Sequence, residues 1–275
     1  MTSPRSTATA RRAARVDLTG WTALVTGASS GIGAQFARAL AAEGTHLVLT
    51  ARRVEQLQQL ADDIRRQHPE TRITVLPADL ALPDASARLV DDLTTAGLTI
   101  DLLVNNAGFG THERVADEDP AKVADQIQVN CIAVAELTTR LLPGMIARHR
   151  GAVLNVASTA AFQPVATMAV YAATKAFVLS FTEALWAENL DTGVRVLALC
   201  PGGTSTEFFA TAGKEFLTRG RQTPAQVVNI ALTALLASRT PTIVSGRKNR
   251  LTASGYRFLP RALMARASAA TVRSH

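Results

Sequence analysis

At 275 residues and 47% hydrophobic content, the chain suits one large globular domain with a sizeable core. No stretch approaches the roughly 18 uninterrupted apolar residues of a membrane span, and the charged N-terminus lacks the apolar core and small-residue cleavage site of a secretory signal. The net charge of +7 sits at the ends: residues 1–16 and 246–275 hold eleven of the 29 basic residues and no acid, leaving 18 basic against 22 acidic, which is weak ground for a nucleic-acid binder.

Residues 1–16, rich in Ser, Thr, Ala and Arg, read as a disordered basic tail; an organellar transit peptide has similar composition and is the alternative. From 17 to 245, short apolar runs alternate with stretches of helical period. The runs are 22–27, 46–50, 73–78, 101–105, 152–158, 194–200 and 242–245. The helical stretches are 32–43, 54–67, 84–96, about 120–148, about 170–190 and about 223–237. Strands too apolar to alternate, separated by amphipathic helices, predict α/β architecture: a single Rossmann-type, doubly wound parallel sheet of about seven strands, with helices on both faces. Cys131 and Cys200 stand in apolar surroundings with no CxxC or Cys/His spacing. They read as buried free thiols of a cytoplasmic protein, not as a disulfide or a metal site.

The first strand runs into Thr26-Gly27-Ala28-Ser29-Ser30-Gly31-Ile32-Gly33, and a helix follows. Glycines there permit a tight turn, close approach of backbone to a pyrophosphate, and close packing of helix on strand. The helix N-terminus offers free N–H groups and a positive dipole end to the same anion. A lone Gly-rich turn is a weak signal, but this one follows the first strand of a βαβ unit. Some twenty residues on, where NAD enzymes place a carboxylate for the ribose hydroxyl, the chain reads Thr50-Ala51-Arg52-Arg53. Arg52 and Arg53 suit a 2′-phosphate through paired N–H donors, which selects NADP(H). Arg53 has the further reading of a solvated start to the next helix.

With these residues the chain resembles the short-chain dehydrogenase/reductase family, whose glycine turn has the TGxxxGxG spacing, and the resemblance runs from Thr22 to Ser245. It implies cofactor contacts from Gly27, Ser29, Ser30, Gly31, Ile32 and Gly33 in the turn, and from Asp79 and Leu80 after the third strand. It adds Asn106, Ala107 and Gly108 of the NNAG segment, then Pro201, Gly202, Thr204 and Thr206 after the sixth strand. Thr204 stands where the family often has a branched apolar residue. The resemblance also implies a catalytic set of Asn130, Ser158, Tyr171 and Lys175, and a homodimer or homotetramer formed through helices 120–148 and 170–190.

Tyr171 and Lys175 are four apart and share a helix face. A phenol ionises near pH 10 in water. A nearby ammonium, together with oxidised nicotinamide, is expected to lower that value toward working pH. The tyrosine would then give a proton to a developing alkoxide or take one from an alcohol, while Ser158 donates a hydrogen bond to the same oxygen. By resemblance, Lys175 also holds the nicotinamide ribose and Asn130 a water of a proton relay. The expected activity is NADP(H)-dependent interconversion of a carbonyl and a secondary alcohol. Phe109, Phe162, Val165, Met168, Phe208, Phe209 and Phe216 fall in prospective pocket loops and suggest a bulky or apolar substrate, acyl, steroid-like or aromatic, although each has the plainer reading of loop packing. A catalytically idle nucleotide-binding or redox-sensing protein is the competing reading, and the complete four-residue set argues against it.

Residues 246–275 form a basic extension. A helix beginning near Pro260 would place Leu263 and Ala267 on one face and Arg261 and Arg266 elsewhere. Such a segment could pack near the substrate entrance, lie on an anionic membrane surface, attract an acidic acyl carrier, or serve only as a solubilising tail.

Overall fold

In a computed structural model, the structure describes residues 15–207, 221–237, 240–255 and 260–273. Strand β1 (Thr22–Thr26) turns Ala23 and Val25 to one face and Leu24 to the other, and all three are fully buried. β2 (His46–Thr50), β4 (Leu102–Asn105), β5 (Gly151–Val156) and β6 (Val194–Cys200) repeat this two-sided burial. A sheet apolar on both faces needs a helical layer on each. On one side lie α1 (Gly31–Ala42), α2 (Val54–Gln67) and α7 (Pro224–Ala237), which contribute Phe36, Leu57 and Val228. On the other lie α3 (Ala85–Thr95), α5 (Ala133–Ala147) and α6 (Ala169–Glu188), which contribute Leu89, Leu137 and Leu185.

The sheet has seven parallel strands in the order β3-β2-β1-β4-β5-β6-β7, with β3 at Ile73–Val75 and β7 at Thr242–Val244. The chain builds outward from β1 to β3, then returns to the opposite side of β1 as β4. At that reversal the connections leave toward opposite faces, and a crevice opens beyond the carboxyl ends of β1 and β4. The expected architecture is therefore the observed one, with local differences. The third strand ends at Val75 rather than 78, although Leu76 N and Ala78 N still donate to Leu49 O and Ala51 O; Pro77 is tolerated between them because its missing N–H would face away from β2 at the sheet edge. The stretch expected as one helix from 120 to 148 is α4 (Pro120–Ile127), a π turn (Gln128–Ile132) and α5. By length and composition Pro120–Ala147 passes for a membrane span, but half of its most apolar window is buried inside the protein, as suits a core helix. Of the expected basic tail, Arg15 pairs with Glu43 at 2.6 Å and Val16 N donates to Leu236 O; residues 1–14 lie outside the described residues. The basic extension forms α8 (Arg247–Gly255) and α9 (Arg261–Arg273).

A polar seam runs through the core beneath the crevice. Asn105 Nδ2 donates to Asn155 Oδ1 (2.8 Å) and to Thr138 Oγ1 (3.1 Å), and Asn155 Nδ2 donates to Thr182 Oγ1 (2.9 Å). The four residues are at most 3% exposed and lock β4 and β5 to α5 and α6. Removing one member strands its neighbours without water to replace it. Asn155→Ala is accordingly expected to lower unfolding stability by about 1–3 kcal/mol in urea titration, with an unchanged m-value.

Candidate active site

The carboxyl end of β1 sets the first wall. Thr26 Oγ1 accepts the N–H groups of Asn106 and Ala107, each at 2.9 Å, and itself donates to Val104 O at 3.3 Å. Asn106 Nδ2 reaches across to Thr26 O and Gly27 O (2.9 and 3.2 Å), so the NNAG segment is stapled to the glycine turn. Gly33 carries the steric demand: a Cβ there would stand 2.2 Å from Gly27 O. Gly31 opens α1 at φ +55°, a left-handed conformation that favours glycine, with Thr206 Cγ2 3.0 Å from where its Cβ would lie. No side chain caps α1 and its first turn holds no acid, which leaves its N–H groups and dipole aimed at an anion. This backbone cradle fits a dinucleotide pyrophosphate.

One cavity of about 500 Å³ lies along the strand ends. It is lined by Gly27, Ser29, Ser30, Gly31 and Ile32 of the turn, by Arg52 and Arg53, and by Asp79 and Leu80. Asn106, Ala107 and Gly108, then Ser158, Tyr171 and Lys175, then Pro201, Gly202, Thr204 and Thr206 complete the expected set. Two expected residues do not line it. Gly33 packs underneath the turn. Asn130 is fully buried behind Phe109: its Nδ2 donates to Phe109 O (2.9 Å) and Thr174 Oγ1 (3.0 Å), and its Oδ1 accepts from Phe109 N (3.1 Å). Both amide protons are thus committed to protein partners, and the side chain braces the NNAG segment. Asp79 turns its carboxylate to Ala81 N (3.1 Å), and the Thr204 hydroxyl donates to Gly202 O (3.1 Å).

The two arginines differ. Arg53 begins α2, as its plainer reading had it, but it is not merely solvated. Its guanidinium donates to Ser29 Oγ (3.1 and 3.3 Å) and pairs with Glu207 at 2.9 Å across the cavity mouth. Arg52 is exposed at the same mouth and makes no ion pair among the described residues. Glu207 went unnoticed in the sequence, where nothing marks the residue after Thr206 as a partner for Arg53.

At the other end, Ser158 closes β5 and accepts Ala160 N (3.1 Å) while hydrogen-bonding the Tyr171 phenol. Tyr171 and Lys175 rise from the first two turns of α6. Lys175 is 5% exposed, donates to Val156 O (2.8 Å), and holds its ammonium 5.8 Å from the centre of the Tyr171 ring. Burial pushes the phenol up to about 12, against the hydrogen bond from Ser158, and pulls Lys175 down to about 8. Without the cofactor, desolvation is the largest influence on the phenol, and no lowering by Lys175 is among the causes of its shift. Gly108 lets Lys175 Nζ and Asn130 Oδ1 approach, at 3.4 and 2.9 Å from where its Cβ would be.

The substrate end is bounded by Phe109, Gln163, Val165 and Met168. Phe162 is corrected: it packs beside Val178 and Ala198 instead of facing the cavity. Phe208, Phe209 and Phe216 lie outside the described residues. Cys131 and Cys200 are buried and free, and no metal-holding cluster occurs among the described residues.

Residues 21–216 match the family model described as short chain dehydrogenase. The chain is 33% identical over 233 residues to the ketoacyl reductase HetN of Nostoc sp., an alignment covering 83% of this chain and 79% of that protein. It is 38% identical over 182 residues to a very-long-chain 3-oxoacyl-CoA reductase of Phaeosphaeria nodorum, which covers 63% of this chain and 52% of that protein, so the chain spans about half of that relative's length. Among solved structures, a short-chain dehydrogenase from Sphingobium yanoikuyae in complex with NADPH superposes with a TM-score of 0.79 at 31% identity, covering 86% of this chain and 93% of that one.

The chain holds two tyrosines, so the near-ultraviolet difference between the protein and its Tyr171→Phe variant isolates one phenol. At about pH 10.5, where a solvated phenol is mostly ionised, Tyr171 is expected to remain mainly protonated in the cofactor-free protein. The linkage follows in sign. A folded value of about 12 against 10.0 unfolded contributes stability below pH 10 that is lost as pH rises toward 12, and the phenylalanine variant should lack that loss.

Proposed function

The chain belongs to the short-chain dehydrogenase family, and on that premise we propose that it is an NADP(H)-dependent oxidoreductase that interconverts a carbonyl and a secondary alcohol, on a bulky or apolar substrate. One observation carries this reading. Ser158, Tyr171 and Lys175 converge at one end of a cavity whose other end is an uncapped helix N-terminus flanked by Arg52 and Arg53. The Phe109, Val165 and Met168 wall supports an apolar substrate, as do relatives that reduce ketoacyl and very-long-chain 3-oxoacyl-CoA compounds.

When bound, the nicotinamide supplies the hydride. The protein's own groups handle the oxygen. In reduction, Tyr171 gives its proton to the developing alkoxide. Ser158 turns its hydroxyl hydrogen toward the same oxygen, a bond that strengthens as charge develops. The protonated phenol is the form that reduction requires. Lys175 keeps one donor on Val156 O and has two left for ribose hydroxyls. Asn130 holds Phe109 and the NNAG segment in place, and its relay water is part of the proposal. Arg52 is the guanidinium available to a 2′-phosphate, since Arg53 is already shared between Ser29 and Glu207.

The exposed Ile127, Ile132 and Phe177 on the α4, π-turn and α6 segments support self-association through these helices. Two free thiols, both buried, support a reducing cytoplasm.

The test is a panel of acyl thioesters, steroid and aryl ketones and sugars, followed by NADPH absorbance; preference for a sugar would sink the substrate class. Tyr171→Phe is expected to lower kcat by about a thousandfold, within the range of a lost general acid, while NADPH affinity stays within about twofold. Arg52→Ala is expected to erode the preference for NADPH over NADH by about 1–3 kcal/mol. Fluorescence titration with both cofactors reads it, and a wild type that prefers NADH overturns the assignment.

A further inference from the structure

Between Ser158 and Tyr171 the chain makes a tight turn at Val165–Met168, where Met168 N donates to Val165 O (3.2 Å). Val165 and Met168 line the cavity beside Tyr171. Thr167 sits in that turn at φ +62°. A β-branched residue in the left-handed region is a genuine outlier, and it persists only where its surroundings over-determine it.

Those surroundings are visible. Ala166 N donates to Ser268 Oγ at 2.9 Å, a bond that links positions 102 residues apart. The Thr167 hydroxyl donates to Ala166 O (2.6 Å) and shares a hydrogen bond with His112 Nε2 (3.1 Å). Ser268 belongs to α9, which docks through Met264, 8% exposed, one helical turn before Ser268. Leu263 and Ala267, expected to share a face, share the exposed one, Leu263 being 53% exposed, and the docking stripe is Met264 and Ser268. The preceding helix α8 packs against the single turn of 3-10 helix at Thr159–Phe162, just after Ser158. Asn249 of α8 bonds Ser245 O (2.7 Å) and presses on Gly202, where an added Cβ would lie 2.2 Å from its Nδ2. The extension therefore touches the substrate loop at both ends. It also lies beyond residues 21–216, the part matched by the family model.

We propose that α8 and α9 brace the substrate loop, and that Ser268 is a positioning residue that holds the Val165–Met168 turn and so sets the fit of bulky substrates. The cavity wall built by Val165 and Met168 is then fixed from outside the family's common portion of the chain. The bond is a neutral one between a backbone N–H and a hydroxyl, so its loss loosens the turn without unfolding the sheet. The kinetic arm of the test rests on the oxidoreductase reading, and the exchange arm does not.

Full-length Ser268→Ala and Ser268→Thr are compared with wild type by hydrogen exchange at the Ala166 amide and by steady-state kinetics on a small and a bulky ketone. In Ser268→Ala, Ala166 exchange is expected to rise by about tenfold, while amides of β1 and β4 keep their protection. The KM for the bulky ketone should rise by roughly three- to tenfold, the factor of one lost neutral hydrogen bond, with kcat changed by less than about twofold. The small ketone should be little affected, and Ser268→Thr, which keeps the hydroxyl, should restore both readouts. Unchanged Ala166 exchange in Ser268→Ala would overturn the brace. Equal losses on both ketones would overturn its part in specificity. Since exchange needs no turnover, a protein that reduces neither ketone would count against the ketone substrate class while the brace is still decided by exchange.

Discussion

The hydroxyl of Thr26 does for the strand ends what the ladder no longer can. Beyond Val25 and Val104 the backbones of β1 and β4 part, because the chain leaves them in opposite directions. Three backbone groups of the β4 segment, Val104 O, Asn106 N and Ala107 N, meet on that one side-chain oxygen of Thr26, a residue 1% exposed. The strand ends are thereby fixed while the turn above them stays free of side chains. Gly33 can press on Gly27 O only because the turn cannot shift, and Gly108 can admit Lys175 and Asn130 only because Asn106 is stapled down. The polar seam of Asn105, Asn155, Thr138 and Thr182 extends the same rigidity into the helices that carry Lys175 and Asn130.

At the catalytic end the dominant force is desolvation, and it acts against charge on both partners. It favours a neutral phenol and a neutral amine, whereas an ammonium beside a phenolate would need each to stabilise the other. The carbonyl of Val156, at 2.8 Å, is the oriented dipole that offsets part of this cost for Lys175. Electrostatics in this site are thus set less by the four-residue spacing of Tyr171 and Lys175 than by how far each group is removed from water.

The strands were readable in the sequence because two-sided burial leaves runs such as 102–105 and 194–200 with almost no polar residue, and the glycine turn because steric demand admits little else. The residues brought into the cavity were readable from spacing along elements. What escaped depends on contacts between distant segments. No local pattern sends Phe162 into the cluster with Val178 while Val165 faces the cavity. No pattern ties Arg53 to Glu207, 154 positions later, or Ala166 to Ser268. Which face of α9 docks is not legible for the same reason: Leu263 and Met264 are both apolar, and only the position of the docking surface distinguishes them. Asn130 was legible as a residue but not as a brace, since its partners, Phe109 and Thr174, come from two other elements.

The π turn at Gln128–Ile132 amounts to one extra residue held inside a continuous helix, and it sits where Asn130 turns inward. An α-helix advances about 100° per residue, so the inward face of α4, where Gln126 is buried, and the apolar inward face of α5 are out of phase across it. Excision of a single residue here would give a better-formed helix and a worse protein. Backbone hydrogen bonding would improve, yet everything upstream would rotate by that angle relative to α5, and the contacts of Asn130 with Phe109 and Thr174 could not be kept together with the burial of Leu137. Helical perfection and reading frame are in conflict at this point, and the chain has kept the reading frame.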